Sequence, residues 1–309
     1  MEPVRERGPR PRVDWPGALA IFLTGALLLT ALVQGGVAWP WLSAPSLGLF
    51  AGSAAAAAMT VLIERRAAEP IIPGWVWRRR TIASVNLALG ALGLLMIAPT
   101  VFLPTYAQSV LGLGPIAAGF VLSVMTLSWP VSAAYSNRLY NRIGFRNTSI
   151  TGIGAALLIL LAFPLLPYPG EPWQPALLML LLGAALGFFQ LPLIIGVQST
   201  VPWAERGTTT ASVLFCRQVG QSVGAALFGA LANAVLAARL GGSGDLDSIS
   251  HALADGTPSD GLRRAVASAV DHVFVGSAAA AGLALLVLVF LAPRRFPVIP
   301  EPAREDATG

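Results

Sequence analysis

One arginine, Arg217, stands well inside an otherwise apolar run, with Val213-Leu214-Phe215 before it and Val219 after it. A guanidinium in hydrocarbon costs about 2.5 to 3.5 kcal/mol on insertion scales, so its position requires an explanation. Its neighbours are amides and small residues: Gln218, Gln221, Ser222 and the spacing Gly220-x-x-x-Gly224. Gln221 is four residues on and shares a helical face with Arg217. The two glycines let a neighbouring backbone come close. Within its own bundle the guanidinium could be satisfied by backbone carbonyls alone.

The other reactive residues are sparse. There is no His-Glu-x-x-His, no Gly-x-Ser-x-Gly and no Gly-x-x-x-x-Gly-Lys phosphate loop, so the sequence does not read as an enzyme. Cys216 has no histidine near it and reads as a packing residue. Clustered metal ligands are absent from the sequence pattern, and no cofactor is expected. Glu64, Glu171, Glu205 and Asp271 fall at the ends of apolar runs, His272 at the outer end of the last run, and His251 in a polar connection.

The elements that must hold these residues are membrane helices. The chain is 55% hydrophobic and only 11% charged, with a mean hydropathy of +0.70, whereas soluble domains carry about 25% charged residues. Runs of about 20 apolar residues suffice to span a bilayer. The pattern predicts an all-α, polytopic membrane protein of about eight transmembrane helices. They fall at about Trp15–Val37, Trp41–Ile63, Thr81–Val110, Pro115–Asn137, Thr148–Leu166, Pro175–Val197, Thr208–Leu236 and Val270–Leu291. Residues 1–13 read as a cytoplasmic tail, 14–66 as two helices, 67–80 as a basic linker, 81–292 as a six-helix bundle and 293–309 as a disordered tail. The polar connection runs from about Ala237 to Ser268.

All twenty basic residues are Arg, and the net charge is +5. They cluster in short loops beside apolar runs, which marks orientation, not nucleic-acid binding. With both ends inside, sixteen arginines fall on the cytoplasmic side and only Arg239, Arg263 and Arg264 outside. The expected location is the plasma membrane, multi-pass, with the lipid bilayer as the first partner.

Residues 137–146, Asn-Arg-Leu-Tyr-Asn-Arg-Ile-Gly-Phe-Arg, resemble the Gly-x-Leu-x-Asp-Arg-x-Gly-Arg-(Arg/Lys) loop of major facilitator transporters, in its second, weaker copy. Leu139, Arg142, Gly144 and Arg146 carry the match; Asn137 and Asn141 depart from it, and the loop loses its acidic half. Arg206-Gly207 followed by Arg217 to Gly224 is similar to the penultimate helix of the fourteen-helix drug:proton antiporter branch. So are Asp14-Trp15-Pro16-Gly17-Ala18, Glu64 to Pro70 and Val110 to Gly119. The resemblance covers about residues 10 to 295.

It implies two central helices plus the second six-helix bundle of such a transporter, with the first bundle absent or separately encoded. The implied activity is secondary efflux of drug-like or amphipathic small molecules, with any proton-carrying carboxylates in the other bundle. By the same resemblance, the third and sixth spans line the cavity and offer Asn86, Tyr106 and Gln190. The alternative for Asn86 and Gln190 is an interhelical tie worth about 0.6 kcal/mol. Arg217, Gln218, Gln221, Gly220 and Gly224 then lie on a docking face toward the missing bundle, where Arg217 would latch the inward-closed state. A non-transporting scaffold or inactive remnant is the alternative function, and a homodimer forming its own pore a third arrangement. The genome just upstream of Met1 would separate a split transporter from a remnant, and native mass spectrometry in detergent a homodimer from a monomer.

Overall fold

The computed structural model describes residues 15–34, 39, 42–66, 73–240, 259–297 and 299. Apolar runs in lipid must satisfy their backbone groups within themselves, and all the long apolar runs are helical. Among the described residues, seven helical stretches are long and apolar enough to cross a membrane, and an eighth, Pro16–Ala31, is shorter. The chain divides into two compact units, Met1–Arg78 and Arg79–Gly309.

In the first unit α1 (Trp15–Gln34) packs along α2 (Ala44–Arg66). Polar side chains stitch the pair: Ser53 Oγ donates to the Thr24 carbonyl at 3.0 Å, and the Thr24 and Thr60 hydroxyls lie 3.4 Å apart. Gly52 faces Leu27 of α1, whereas Gly48 faces open space. A short helix, α3 (Trp75–Arg78), ends the unit.

The second unit holds six spans. The first is α4 (Arg80–Leu95), a π-helical turn (Ala98–Phe102) and α5 (Leu103–Ser109) in succession. Pro99 and Pro104 each lack an amide hydrogen, which breaks the ladder there. The others are α6 (Pro115–Ile143), α7 (Phe145–Ala162, continued by a 3-10 turn to Leu165), α8 (Trp173–Gln198), α9 (Trp203–Leu240) and α10 (Asp260–Phe290).

Their packing has an internal symmetry. Exchange the triplet of the first span, α6 and α7 with the triplet α8, α9 and α10, and the set of touching pairs maps onto itself. The first span packs on α9 as α8 packs on α6, and on α10 as α8 packs on α7. The pairs α6 with α7 and α9 with α10 exchange, and α7 with α10 maps to itself. Because successive spans alternate in direction, the second triplet is inverted relative to the first.

Several helix ends lie beyond the sequence expectation. α9 begins at Trp203 and ends at Leu240, and α10 begins at Asp260, not Val270. Arg263, Arg264 and Ser268 are therefore helical, and Asp271 is the twelfth residue of α10. The Ser259 hydroxyl accepts from the Leu262 amide and caps that start. α6 continues through Leu139 and Arg142, so the expected loop shrinks to Gly144. Its φ of +85° suits glycine, and its amide bonds the Tyr140 carbonyl at 2.9 Å. Apolar patterning marks where hydrocarbon ends, while a helix continues for as long as its amides find partners. Residues 293–297 and 299 fold back: Phe296 packs against Phe145 at 6.1 Å, and the Ile299 amide bonds the Ser199 carbonyl at 2.9 Å. Residues 1–13, 67–72 and 300–309 lie outside the described residues, as does His251.

Candidate functional site

α4 and α9 cross in backbone contact. A methyl group at Gly90 would lie 3.3 Å from the Cys216 carbonyl oxygen; at Gly93 one would overlap the Arg217 carbonyl, and at Gly220 the Gly90 carbonyl. At Gly224 it would lie 2.9 Å from the Leu94 Cα. The other triplet repeats the device: methyl groups at Gly183 and Gly187 of α8 would overlap α6 at Met125, Ser128, Trp129 and Ser132. Gly93 therefore stands to Arg217 as Gly187 stands to Trp129.

Those two counterparts meet each other. The Arg217 guanidinium lies 5.9 Å from the centroid of the Trp129 ring, joining α9 to α6. Trp129 is the midpoint of α6, with fourteen residues on either side. Arg217 is fourteen residues after Trp203, about 21 Å along α9 by helical rise and deeper than its place in the apolar run suggested. The pair therefore sits near mid-depth. Among the described residues Arg217 makes no hydrogen bond or ion pair. A cation–π contact contributes about 0.5 to 2 kcal/mol, less than the roughly 2.5 to 3.5 kcal/mol insertion cost. The guanidinium needs water or a further partner.

The remaining candidates do not converge. Asn86 is fully buried; its Oδ1 accepts from the Ser212 hydroxyl at 3.3 Å, tying α4 to α9, while its Nδ2 finds no partner among the described residues. Tyr106 is buried near the opposite end of the same span, edge-on to Phe163 at 5.3 Å, and Phe163 stacks on Phe274 at 3.6 Å. Twenty residues separate Asn86 from Tyr106, roughly 30 Å by helical rise. Gln190 is half-buried on α8 beside buried Pro192, and Gln218 and Gln221 are exposed and half-buried on α9.

Sequence reasoning missed Trp129. Every other described tryptophan lies at a helix start, in the short α3 or in a connection, where aromatic anchors belong. A tryptophan at a span's centre, followed by Pro130, was the available signal. Gly90 and Gly93 were missed too, although their spacing is legible.

The sequence profile of the Major Facilitator Superfamily matches residues 12–225. The chain belongs to the major facilitator superfamily. It is 32% identical over 243 residues to an uncharacterized MFS-type transporter of Mycobacterium tuberculosis, covering 77% of this chain and 35% of that protein. It is 28% identical over 233 residues to Multidrug resistance protein 3 of Bacillus subtilis, covering 75% of this chain and 45% of that protein. The match to the Tetracycline resistance determinant of Streptomyces rimosus is 30% over 225 residues, covering 72% of this chain and 64% of the other. The chain thus spans between about a third and two thirds of these relatives. The chain is a multi-pass membrane protein of a transporter family.

The loop-motif residues of the chain sit at one end of the bundle. Leu139 and exposed Arg142 are in the last turns of α6, and Gly144 makes the turn. Arg146 reaches α10, its Nε donating to the Leu288 carbonyl at 2.9 Å and an Nη to Val289 at 2.8 Å. Arg80 donates to the next carbonyl, Phe290, at 3.1 Å. Two arginines thus cap the carbonyl end of α10, where the helix dipole favours cations. Arg79 pairs with Glu205, tying the starts of α4 and α9, with its second Nη 3.2 Å from Oε1.

Proposed function

We propose that this chain supplies the carboxy-terminal six-helix bundle, with two central helices before it, of a proton-coupled efflux permease of the fourteen-helix branch. Its companion is a first six-helix bundle, on the same or another polypeptide, and the two rock about a central cavity. The arginine end of the bundle faces the cytoplasm of a plasma-membrane protein with both termini inside. Substrates are drug-like or amphipathic small molecules, and the names of two of the relatives, given for multidrug and tetracycline resistance, support that class.

The observation that carries the reading is Arg217. It lies at mid-depth on α9, and α6 and α9 are the least enclosed spans of the bundle, with 22% and 28% of their most apolar window buried against 67% for Arg80–Ser109. Lipid would not accept an unpaired guanidinium there. The α6–α9 face therefore meets a polar cavity or a protein surface, and substrate sites of such transporters lie near the midplane between repeats. Gln190, and Tyr106 once its helices part, contribute neutral polar groups to that cavity, while Asn86 holds α4 to α9. Gln218 and Gln221 extend the face that Gly220 and Gly224 hold against α4.

The test is dye accumulation in cells of the source organism with and without the gene. Deletion should raise accumulation of amphipathic fluorescent dyes, and a protonophore should raise it equally in cells that keep the gene. Unchanged accumulation on deletion would favour a non-transporting scaffold. Efflux driven by a proton gradient in proteoliposomes holding this chain alone would show that no companion bundle carries the protons.

A further inference from the structure

The α6–α9 face of this bundle offers a positive charge and an aromatic plane at one point. Arg217 and Trp129 meet at 5.9 Å, near mid-depth. The surroundings supply no counter-charge: among the described residues the guanidinium has no ion pair. Glu205 is already paired with Arg79, three turns nearer the start of α9. Asp271, on α10, forms no ion pair with Arg217 among the described residues. The hydroxyls beside Trp129 are engaged, with Ser128 donating to the Met125 carbonyl at 3.1 Å and Ser132 to the Trp129 carbonyl at 2.9 Å. What remains open is a cation with an indole beside it.

We infer that Arg217 and Trp129 form an anion subsite that selects amphipathic substrates carrying a carboxylate or phenolate next to an aromatic ring. The guanidinium takes the anion through its planar fork of donors, and the indole takes the ring. An anionic substrate supplies the charge that the mid-depth position lacks, so its binding removes the desolvation cost that the empty site carries. An ammonium substrate would meet like charge in a medium of low dielectric and be rejected. This specificity rests on the transporter reading above, and it adds a sign to it.

The test is binding of two matched probes, 2-naphthoate and 2-naphthylmethylammonium, to the purified full chain in nanodiscs by equilibrium dialysis. Naphthoate should bind at least about ten-fold tighter. Arg217→Gln should bring the two within about three-fold of each other, Arg217→Lys should keep the preference, and Trp129→Leu should weaken both. Should Arg217→Gln not fold, competition on the wild-type chain replaces it: at neutral pH, where phenols are uncharged and carboxylates ionised, 2-naphthol should fail to displace bound naphthoate, while other aromatic carboxylates should displace it. Equal or tighter ammonium binding, an anion preference that survives Arg217→Gln, or no binding of either probe would overturn the subsite. If the preference disappears while dye efflux by cells persists, the subsite fails and the transporter reading stands. If the preference holds without efflux, the reverse applies.

Discussion

At Gly93 there is no room for a methyl group, because the Arg217 carbonyl occupies the place where it would go. Gly93→Ala should push α4 off α9 and lower stability by about 1 to 3 kcal/mol, read as a drop in thermal unfolding temperature in detergent. Gly154→Ala is the matched control: its methyl would meet nothing within 4 Å, and alanine favours helix by about 1 kcal/mol, so stability should hold or rise. Half of this contact was legible in the sequence. The Gly220 and Gly224 spacing announces a close approach, but spacing on one helix does not say which helix crosses it. For the same reason Arg217 could be singled out as a lone charge while Trp129, eighty-eight residues away in sequence, could not be joined to it. Asn86 shows the opposite limit. Its polarity is plain in the sequence, yet only the fold shows it fully buried and tied to Ser212.

Helices here end where partners end. Apolar runs located every span, because hydrocarbon demands them, but the helices run on where capping groups serve their ends. The start of α10 at Asp260 follows from Ser259 and not from hydropathy. The finish of α10 depends on Arg146 and Arg80, which occupy three successive carbonyls from Leu288 to Phe290. Arg146→Gln should leave two of these without a cation and weaken the last turn by about 1 kcal/mol, seen as roughly five-fold faster amide hydrogen exchange there. The Arg79–Glu205 pair is more exposed. Glu205→Gln should cost less than about 1 kcal/mol, a shift that shrinks further at high salt.

Within the second unit, arginines gather at one end. Arg79, Arg80, Arg138, Arg142, Arg146, Arg206, Arg294 and Arg295 all belong to helix ends on the side where α4, α7 and α9 begin. Orientation is testable directly. In a Cys216→Ala background, Arg142→Cys should resist an impermeant maleimide in intact cells and react in inside-out vesicles, and Glu171→Cys should do the reverse. Inverse labelling would turn the bundle over and move the arginine end outside. The alternation of spans was readable from the Arg distribution, since one missed helix would scatter the clusters across both sides. The inverted triplets were not, because the two halves share packing rather than sequence.

The first span of the bundle divides its loyalties. Its α4 half is seated by glycines against α9, while its α5 half, beyond the π-helical turn, touches α6 and α10. Near the break, the Thr100 hydroxyl bonds the Met96 carbonyl at 2.7 Å and the Ser109 hydroxyl the Thr105 carbonyl at 2.6 Å. A tilt of about 20° at the break carries Ser109 through roughly 4 Å. Gly90 and Gly93 lie on the other side of the break, so such a tilt would leave their contacts with α9 in place.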